Sequence, residues 1–130
     1  MQSNKDMSNY RFEKAEECLS VAKMLLSAEK YNSATNRAYY CIFHCMRSVI
    51  ALDGVDFKKH SAVIAYFREK YIKTEIFDKR LSDIITFLFR LRGKSDYDDF
   101  YVIAKNDVVE QVDNAEYFLE QIAEYLHKQI

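Results

Sequence analysis

The chain has 130 residues and a mass of 15.4 kDa, which suits a single domain with its own hydrophobic core. Hydrophobic residues make up 49% of the sequence and charged residues 30%, a balance that excludes a disordered chain. Nineteen basic and twenty acidic residues give a net charge of −1, so any site for anions must be a local patch. With no proline and two glycines, the chain lacks the residues that β-turns use, which predicts an all-α protein.

The cysteines and the hydropathy pattern bear on the cellular setting. Cys18, Cys41 and Cys45 are odd in number and lie among apolar residues, which favours buried reduced thiols over disulfides or a zinc site. No stretch reaches the roughly 18 apolar residues of a membrane span, and the first residues contain no apolar signal region. We therefore expect a soluble, cytoplasmic protein without membrane contact, metal or cofactor.

The first two predicted helices have different faces. The first is predicted over about residues 8–28 and has a one-sided apolar stripe at three- and four-residue steps. The second, over about residues 33–52, is apolar on nearly every side and is therefore expected to be the central helix. Gly54 follows it and is expected to be the left-handed residue just past its C-terminus.

Three more helices are predicted in the second half of the chain. A short helix is expected over about residues 61–71, and Thr74 has the position of an N-cap for a fourth helix that Gly93 would end. Asp107 and Glu110 have the spacing of a capping box at the start of the last helix. Four long helices and one short helix predict an antiparallel up-and-down bundle, a single domain over residues 1–130.

Four polar side chains form a stripe on the central helix. Arg37, Tyr40, His44 and Arg47 are spaced three, four and three residues apart, so they share one narrow face. In one interpretation they form an internal network, in which the arginines pair with acids and His44 is a satisfied core histidine. In the other, the guanidinium groups bind a phosphate and His44 transfers protons, as a metal-free ribonuclease requires. The spacing leaves both interpretations open.

The segment that contains this stripe also carries a family resemblance. From Tyr31 to His44 it reads YNSATNRAYYCIFH, which is similar to a Y-x-x-A-x-x-R-A-Y-Y-A-x-F-H signature. Further matches follow in the same order as in that family: Lys59-His60-Ser61, Phe67 to Tyr71, Leu91-Arg92-x-x-x-Asp96-Tyr97, and a closing helix from Ala115 to Leu126. Over about residues 8–127 the chain thus resembles the HEPN superfamily (higher eukaryotes and prokaryotes nucleotide-binding), in particular its compact prokaryotic stand-alone branch.

The resemblance implies a bundle of four to five helices that is usually dimeric and is often encoded beside a minimal nucleotidyltransferase. It also implies that many members are metal-independent ribonucleases that act through an Arg-x4–6-His motif. In the ribonuclease toxins this motif lies late in the chain, whereas here the late segment from Arg90 to Tyr97 has no histidine. The Arg-x6-His pair of this chain is Arg37 and His44, on the central helix.

These observations give one principal expectation and two alternatives. The principal one is a HEPN-like domain that binds nucleotide or RNA phosphate and acts with a partner, a minimal nucleotidyltransferase, in a toxin–antitoxin-like or defence pair. The alternatives are an active metal-independent endoribonuclease and a structural interaction module without a ligand. The candidate catalytic residues are Arg37 and His44, and the candidate binding residues are Tyr40, Arg47, Arg92, Asp96 and Tyr97.

Two weaker signals concern other parts of the chain. His60 follows Lys58 and Lys59 at a predicted helix start, which suits either a phosphate site or a solvated helix entrance.

A surplus of aromatic residues lies outside the apolar stripes: Tyr66, Phe67, Tyr71, Phe77, Phe87, Phe89, Phe100 and Tyr101. The last four cluster with Arg90 and Arg92, which predicts an exposed patch covered in a homodimer. The alternative is a satellite core beneath residues 94–106.

Overall fold

Five α-helices form the described part of the chain: α1 (Gln2–Ser27), α2 (Tyr31–Ala51), α3 (His60–Phe67), α4 (Arg80–Tyr97) and α5 (Lys105–Lys128). A turn of π-helix, Arg68–Ile72, continues α3. The computed structural model describes residues 2–97 and 103–129, and the side chains of residues 95–97 lie outside that description. The prediction of an all-α bundle of four long helices and one short helix is confirmed.

The second helix is the centre of the bundle, as its apolar pattern predicts. The other four helices, α1, α3, α4 and α5, all pack against α2. Thirteen of its 21 residues are buried, among them Tyr39, Ile42 and Met46. The three cysteines are buried and form no disulfide, as expected for core thiols. A helix buried on most sides has little room for polar groups, so the few on α2 are conspicuous.

The predicted chain reversal at Gly54 has the expected backbone geometry. Gly54 has a φ of +73°, and its N–H donates to the carbonyl of Ala51 at 2.9 Å. The N–H of Val55 reaches back to the carbonyl of Ile50 at 3.3 Å. This closure lets the chain leave α2 sharply, in the left-handed conformation that glycine adopts at low cost. The segment that follows lies beside the stripe.

The predicted start of the fourth helix at Thr74 is wrong. Its Oγ1 donates to the carbonyl of Lys70 at 2.7 Å, so the side chain closes the turn behind it instead of capping a helix ahead. Glu75 then adopts a φ of +64°, which interrupts any helix there. The helix begins at Arg80, whose N–H is accepted by Asp78 Oδ1 at 2.8 Å.

Two further predicted helix signals are also wrong. Gly93 lies inside α4, which continues to Tyr97, because glycine costs a helix only about 1 kcal/mol and no proline follows it. At the start of α5, Ala104 occupies the N-cap and makes no side-chain hydrogen bond. The helix therefore begins at Lys105, before the predicted Asp107–Glu110 capping box.

The aromatic surplus divides between the core and the surface. Phe67, Tyr71 and Phe77 are buried, so these three rings of the surplus belong to the core. The π-helical turn and the turn after it bring them together, with the Phe67 and Phe77 rings 5.5 Å apart. By contrast, Phe87 is 60% exposed and Phe89 42% exposed on α4. Phe100 and Tyr101 lie outside the described residues.

Candidate functional site

The four stripe residues on α2 share one half-buried face. Arg37, Tyr40, His44 and Arg47 are all partly exposed, whereas the residues on either side of them along the helix are mostly buried. The Arg37 guanidinium carbon lies 5.0 Å from the centre of the Tyr40 ring, and the Tyr40 and His44 rings are 6.2 Å apart. The side chains that the spacing places on one face therefore form a continuous row.

Arg37 has neutral partners. Its Nε and Nη2 donate to Asn36 Oδ1 at 3.1 and 2.8 Å, and its guanidinium carbon lies over the Tyr40 ring. Among the described residues, no carboxylate lies within ion-pair distance of this guanidinium. The internal-network interpretation, in which Arg37 pairs with an acid of a neighbouring helix, does not describe this side chain.

Arg47, at the other end of the row, does have an acidic partner. Its Nε and Nη2 donate to the two carboxylate oxygens of Asp56 at 3.2 and 2.7 Å, and Arg11 of α1 reaches the same carboxylate at 3.4 Å. Burial alone would raise the pKa of Asp56, but hydrogen bonds from Arg47 and from the Phe57 N–H outweigh burial and lower it. Arg47 therefore pairs with an acid, as the internal-network interpretation expects, but this acid is half exposed and lies in the loop between α2 and α3, not on a neighbouring helix.

His44 lies between these cations and is not satisfied as a core histidine. Its Nδ1 is buried and has no hydrogen-bond partner among the described residues. Burial, and then the positive charges of Arg47, Arg11, Arg37 and Lys14, lower the pKa of His44 to about 4. The imidazole is thus neutral at pH 7. Burial opposes a charge of either sign, whereas the four neighbouring cations oppose a positive imidazole and favour an anion.

A second helix contributes to the row. Arg92 of α4 donates through Nη2 to the Tyr40 hydroxyl at 3.1 Å, and its guanidinium carbon lies 5.6 Å from the Tyr40 ring centre. The packing of α4 on α2 thus places two guanidinium groups beside one phenol. Asp96 and Tyr97 belong to the last turn of α4, but their side chains lie outside the described part of the structure.

Arg11 and Lys14, which sequence reasoning missed, add positive charge from α1. Both act on the pKa of His44, and Arg11 also contacts Asp56. They are three residues apart on the polar side of α1, but the sequence gives no sign of which neighbouring helix this side faces. The antiparallel packing of α1 on α2 decides it.

His60 is neither a simple anion site nor a solvated helix entrance. Its Nδ1 is 2.9 Å from the hydroxyl of the buried Tyr39, and its ring centre is 4.2 Å from that of Phe43. Burial, and then the charges of Arg92 and Arg47, lower the pKa of His60. The first residue of α3 is thus bound to the central helix through an aromatic cluster.

The described side chains include no metal centre. No group of three or more His, Cys, Asp or Glu side chains within residues 2–94 and 103–129 could hold a metal ion. None of the helices in the same part of the chain is both long and apolar enough to cross a bilayer.

The fold and the site together define a class of protein: an α-helical bundle with a cationic face built on its central helix. The HEPN domain family model matches residues 8–125, and the chain belongs to the HEPN domain family. The resemblance inferred from the sequence is thereby confirmed.

Curated relatives cover most of the chain. A UPF0332 protein of Thermotoga maritima is 33% identical over 94% of this chain and 92% of its own length. A Methanocaldococcus jannaschii protein that carries the name "Putative toxin" is 32% identical over 88% of this chain and 78% of its own length. A UPF0332 protein of Archaeoglobus fulgidus is 26% identical over 95% and 98% of the two chains. The match thus extends along most of the chain.

Proposed function

We propose that this HEPN domain binds phosphate groups of a nucleotide or of RNA along the cationic row, and that Arg37 is the principal anchor. The observation that carries the proposal is the setting of Arg37, whose partners are an amide oxygen and an aromatic face. No neighbouring carboxylate in the described part of the chain offsets the charge of this guanidinium, and its Nη1–Nη2 edge, which Asn36 does not occupy, presents paired N–H donors that match a phosphate.

The rest of the row supports the same ligand. Arg92 adds a second guanidinium at Tyr40, and Arg47 adds a third at the far end, where a phosphate would compete with Asp56. The neutral imidazole of His44 between them can donate one hydrogen bond without adding charge. Successive phosphates of a single strand, or the phosphates of one nucleotide, are the anions that such a row accommodates.

A second candidate function is metal-independent RNA cleavage, with His44 as general base or acid and Arg37 holding the scissile phosphate. The observation in its favour is a neutral imidazole beside the anchor. However, a pKa of about 4 makes that imidazole a weak base, since general bases work best when their pKa lies near the working pH. Binding is therefore the function that the geometry supports better.

The first experiment measures RNA binding. Fluorescence anisotropy with a labelled single-stranded oligoribonucleotide is recorded for the wild type, Arg37→Gln and Arg80→Gln. Arg80 is the matched control, because its guanidinium lies over Tyr117 at 3.8 Å, twelve residues from Arg92 along α4. We expect Arg37→Gln to lose about tenfold in affinity, as for one charge-assisted contact. Equal affinity in all three proteins would overturn the role of Arg37, and no RNA binding by any of them would leave a structural interaction module.

The second experiment concerns cleavage. The purified protein is incubated with total RNA in EDTA, alone and with its partner, beside Arg37→Ala and His44→Ala variants whose folding is verified. Under the binding proposal we expect no cleavage by the wild type. Cleavage that both substitutions abolish would show that the domain is an endoribonuclease.

We also propose a partner and a dimer. The partner is a minimal nucleotidyltransferase, in a pair of the toxin–antitoxin or defence kind, and the relative named "Putative toxin" supports this type of system. The homodimer is proposed to cover the exposed Phe87 and Phe89. Co-expression with a nucleotidyltransferase encoded beside the chain is expected to give a stable complex, and sedimentation equilibrium is expected to show a dimer. Independent migration of the two co-expressed proteins would contradict the partner. A 15.4 kDa species at all concentrations would contradict the homodimer.

A further inference from the structure

A shallow cleft of about 470 Å³ opens at the Arg47 end of the cationic row. It is lined by Phe43, Arg47, Asp56, Phe57, Lys58 and His60. Three of these are flat rings and two are cations, and the volume is within the range of small-molecule sites. The ribonuclease and phosphate-binding hypotheses make no use of Phe57 or Lys58.

We propose that this cleft is a nucleobase subsite: a base stacks on Phe57, and the phosphate attached to its nucleotide points to Arg47 and Lys58. The inference rests on the proposed function, since it gives the phosphate-binding row a second element that recognises the base. Aromatic platforms beside a cationic groove are how proteins hold single-stranded nucleic acid, because every base has a flat face.

The first argument is that Phe57 is held in place before any ligand arrives. The segment between α2 and α3 is tied down by Asp53, whose Oδ2 accepts hydrogen bonds from Tyr66 at 3.1 Å and from Tyr71 at 2.7 Å. Asp56 is fixed by Arg47, and it also accepts the Phe57 N–H at 2.9 Å. The Phe57 ring itself packs 5.7 Å from the ring of Tyr66. A partly exposed ring with this support loses little freedom when a base stacks on it.

The second argument concerns the floor and edge of the cleft. Phe43 is 4% exposed and lies against His60, so it forms an apolar floor. The Nδ1 of His60 faces the Tyr39 hydroxyl, and burial raises the pKa of that phenol, which keeps its proton. When Tyr39 donates to Nδ1, the imidazole proton is on Nε2, the ring nitrogen left for a ligand. In that tautomer, His60 gives the lining of the cleft a neutral N–H donor for an acceptor on a base edge.

The third argument is charge. Arg47 and Lys58 give the cleft two positive charges, and Asp56 supplies one negative charge that Arg47 and Arg11 already bind. The local balance favours an anionic ligand with an apolar flat body. A nucleotide has both parts, with the phosphate and the base close enough to occupy the row and the cleft together.

The test uses the absence of tryptophan from the chain. In Phe57→Trp, the indole is the single tryptophan and reports stacking directly through its fluorescence. Adenosine 5′-monophosphate is expected to quench this fluorescence in a saturable way. Ribose 5-phosphate, which lacks the base, is expected to bind at least fivefold more weakly and to leave the fluorescence unchanged, because one base stack contributes about 1–3 kcal/mol.

Substitutions separate stacking from simple packing. Phe57→Leu keeps an apolar side chain against Tyr66 but removes the ring, and we expect it to lower affinity for adenosine 5′-monophosphate at least fivefold. Affinity for ribose 5-phosphate is expected to stay the same, and Phe57→Tyr is expected to restore the wild-type value. Tyr117→Leu, which removes a partly buried ring beside Arg80, is the control and is expected to change neither affinity.

The outcomes distinguish this inference from the function on which it rests. Equal affinity of the wild type for the two phosphates, with no effect of Phe57→Leu, would overturn the base subsite and leave phosphate binding at Arg37 intact. Failure of both phosphates to bind, together with RNA binding that does not depend on Arg37, would overturn both. Thermal unfolding by circular dichroism verifies that each variant is folded.

Discussion

The guanidinium of Arg92, on α4, donates a hydrogen bond to the Tyr40 hydroxyl of α2 at 3.1 Å, across 52 residues of sequence. The same phenol lies beneath Arg37, whose guanidinium carbon is 5.0 Å from the ring centre. Tyr40 therefore positions two cations from two helices. It accepts a hydrogen bond from Arg92, and the face of its ring contacts the guanidinium groups of both Arg92 and Arg37. This makes Tyr40 a positioning residue for phosphate binding.

The role of Tyr40 can be divided by two substitutions. Tyr40→Phe keeps the ring under both guanidinium groups but removes the hydrogen bond to Arg92, so we expect RNA affinity to fall about two- to threefold. Tyr40→Leu removes both contacts, and we expect a loss of about tenfold. Anisotropy with the labelled oligoribonucleotide measures both, and unfolding curves verify the fold. Similar losses in the two variants would show that the ring face contributes nothing.

His44 makes stability depend on pH. Its pKa is about 4 in the folded protein and about 6.5 in an unfolded chain, so between these values the unfolded chain binds a proton that the folded protein does not. Stability therefore falls as the pH is lowered from about 6.5 towards 4. We expect the drop in Tm between pH 7.5 and 5.0 to be roughly 3–6 °C smaller in His44→Asn than in the wild type.

The control for this prediction is His60→Asn. The pKa of His60 is also lowered, and that of Asp56 is lowered as well, so both contribute to the loss of stability in acid. The drop in Tm of the wild type minus that of His44→Asn gives the contribution of His44. The same subtraction with His60→Asn gives the contribution of His60. Parallel Tm profiles for the wild type and His44→Asn would contradict the buried neutral imidazole.

Asp56 competes with the ligand. Asp56→Asn removes the carboxylate that binds Arg47 and Arg11, and the added net positive charge is expected to raise RNA affinity about fivefold at low salt, equivalent to about 1 kcal/mol. The stability cost is expected to be below about 1 kcal/mol, since the carboxylate is half exposed. Anisotropy and urea unfolding give the two quantities.

A matched control exists for the charge change. Glu116 pairs with Lys23 between α5 and α1, so Glu116→Gln also removes one acidic partner from an ion pair. We expect this variant to leave RNA affinity unchanged. An equal rise in both variants would show that net charge, and not the Arg47 end of the row, controls binding.

The helical conformation at Gly93 predicts a stabilising substitution. A methyl group at this position would meet nothing within 4 Å, and Gly93 lies inside α4. Gly93→Ala is therefore expected to stabilise the protein by about 0.5–1 kcal/mol, because alanine loses less backbone entropy in a helix. The midpoint of urea unfolding should rise with an unchanged m-value. A lower midpoint would show that the helix does not continue through this residue.

Periodicity predicted the parts of this molecule that depend on local pattern. The apolar character of α2 on nearly all sides identified the central helix, and the spacing of Arg37, Tyr40, His44 and Arg47 identified the half-buried row. The family match followed from the ordered motifs between Tyr31 and Leu126. These features require only the side-chain directions of a regular helix.

The features that the sequence did not predict depend on packing or on weak terminal signals. Thr74 and Gly93 are residue types common at helix ends, yet the Thr74 hydroxyl bonds to the preceding turn and α4 continues through Gly93. The pairing of Arg47 with Asp56 depends on the path of the loop after α2, and that of Arg92 with Tyr40 depends on the packing of α4. The chemistry of the row was therefore less predictable than its location.

The dependence of RNA affinity on salt concentration tests the central claim most directly. Each guanidinium that neutralises a phosphate releases counterions from the RNA. A plot of log K against the logarithm of the salt concentration therefore has a negative slope, to which each contact on a single strand adds about 0.7 in magnitude. We predict that Arg37→Gln with Arg92→Gln lowers the magnitude of this slope by about 1.4 relative to the wild type, whereas Arg80→Gln leaves it unchanged. A slope that is the same in the wild type and in the double variant would contradict phosphate binding at the row.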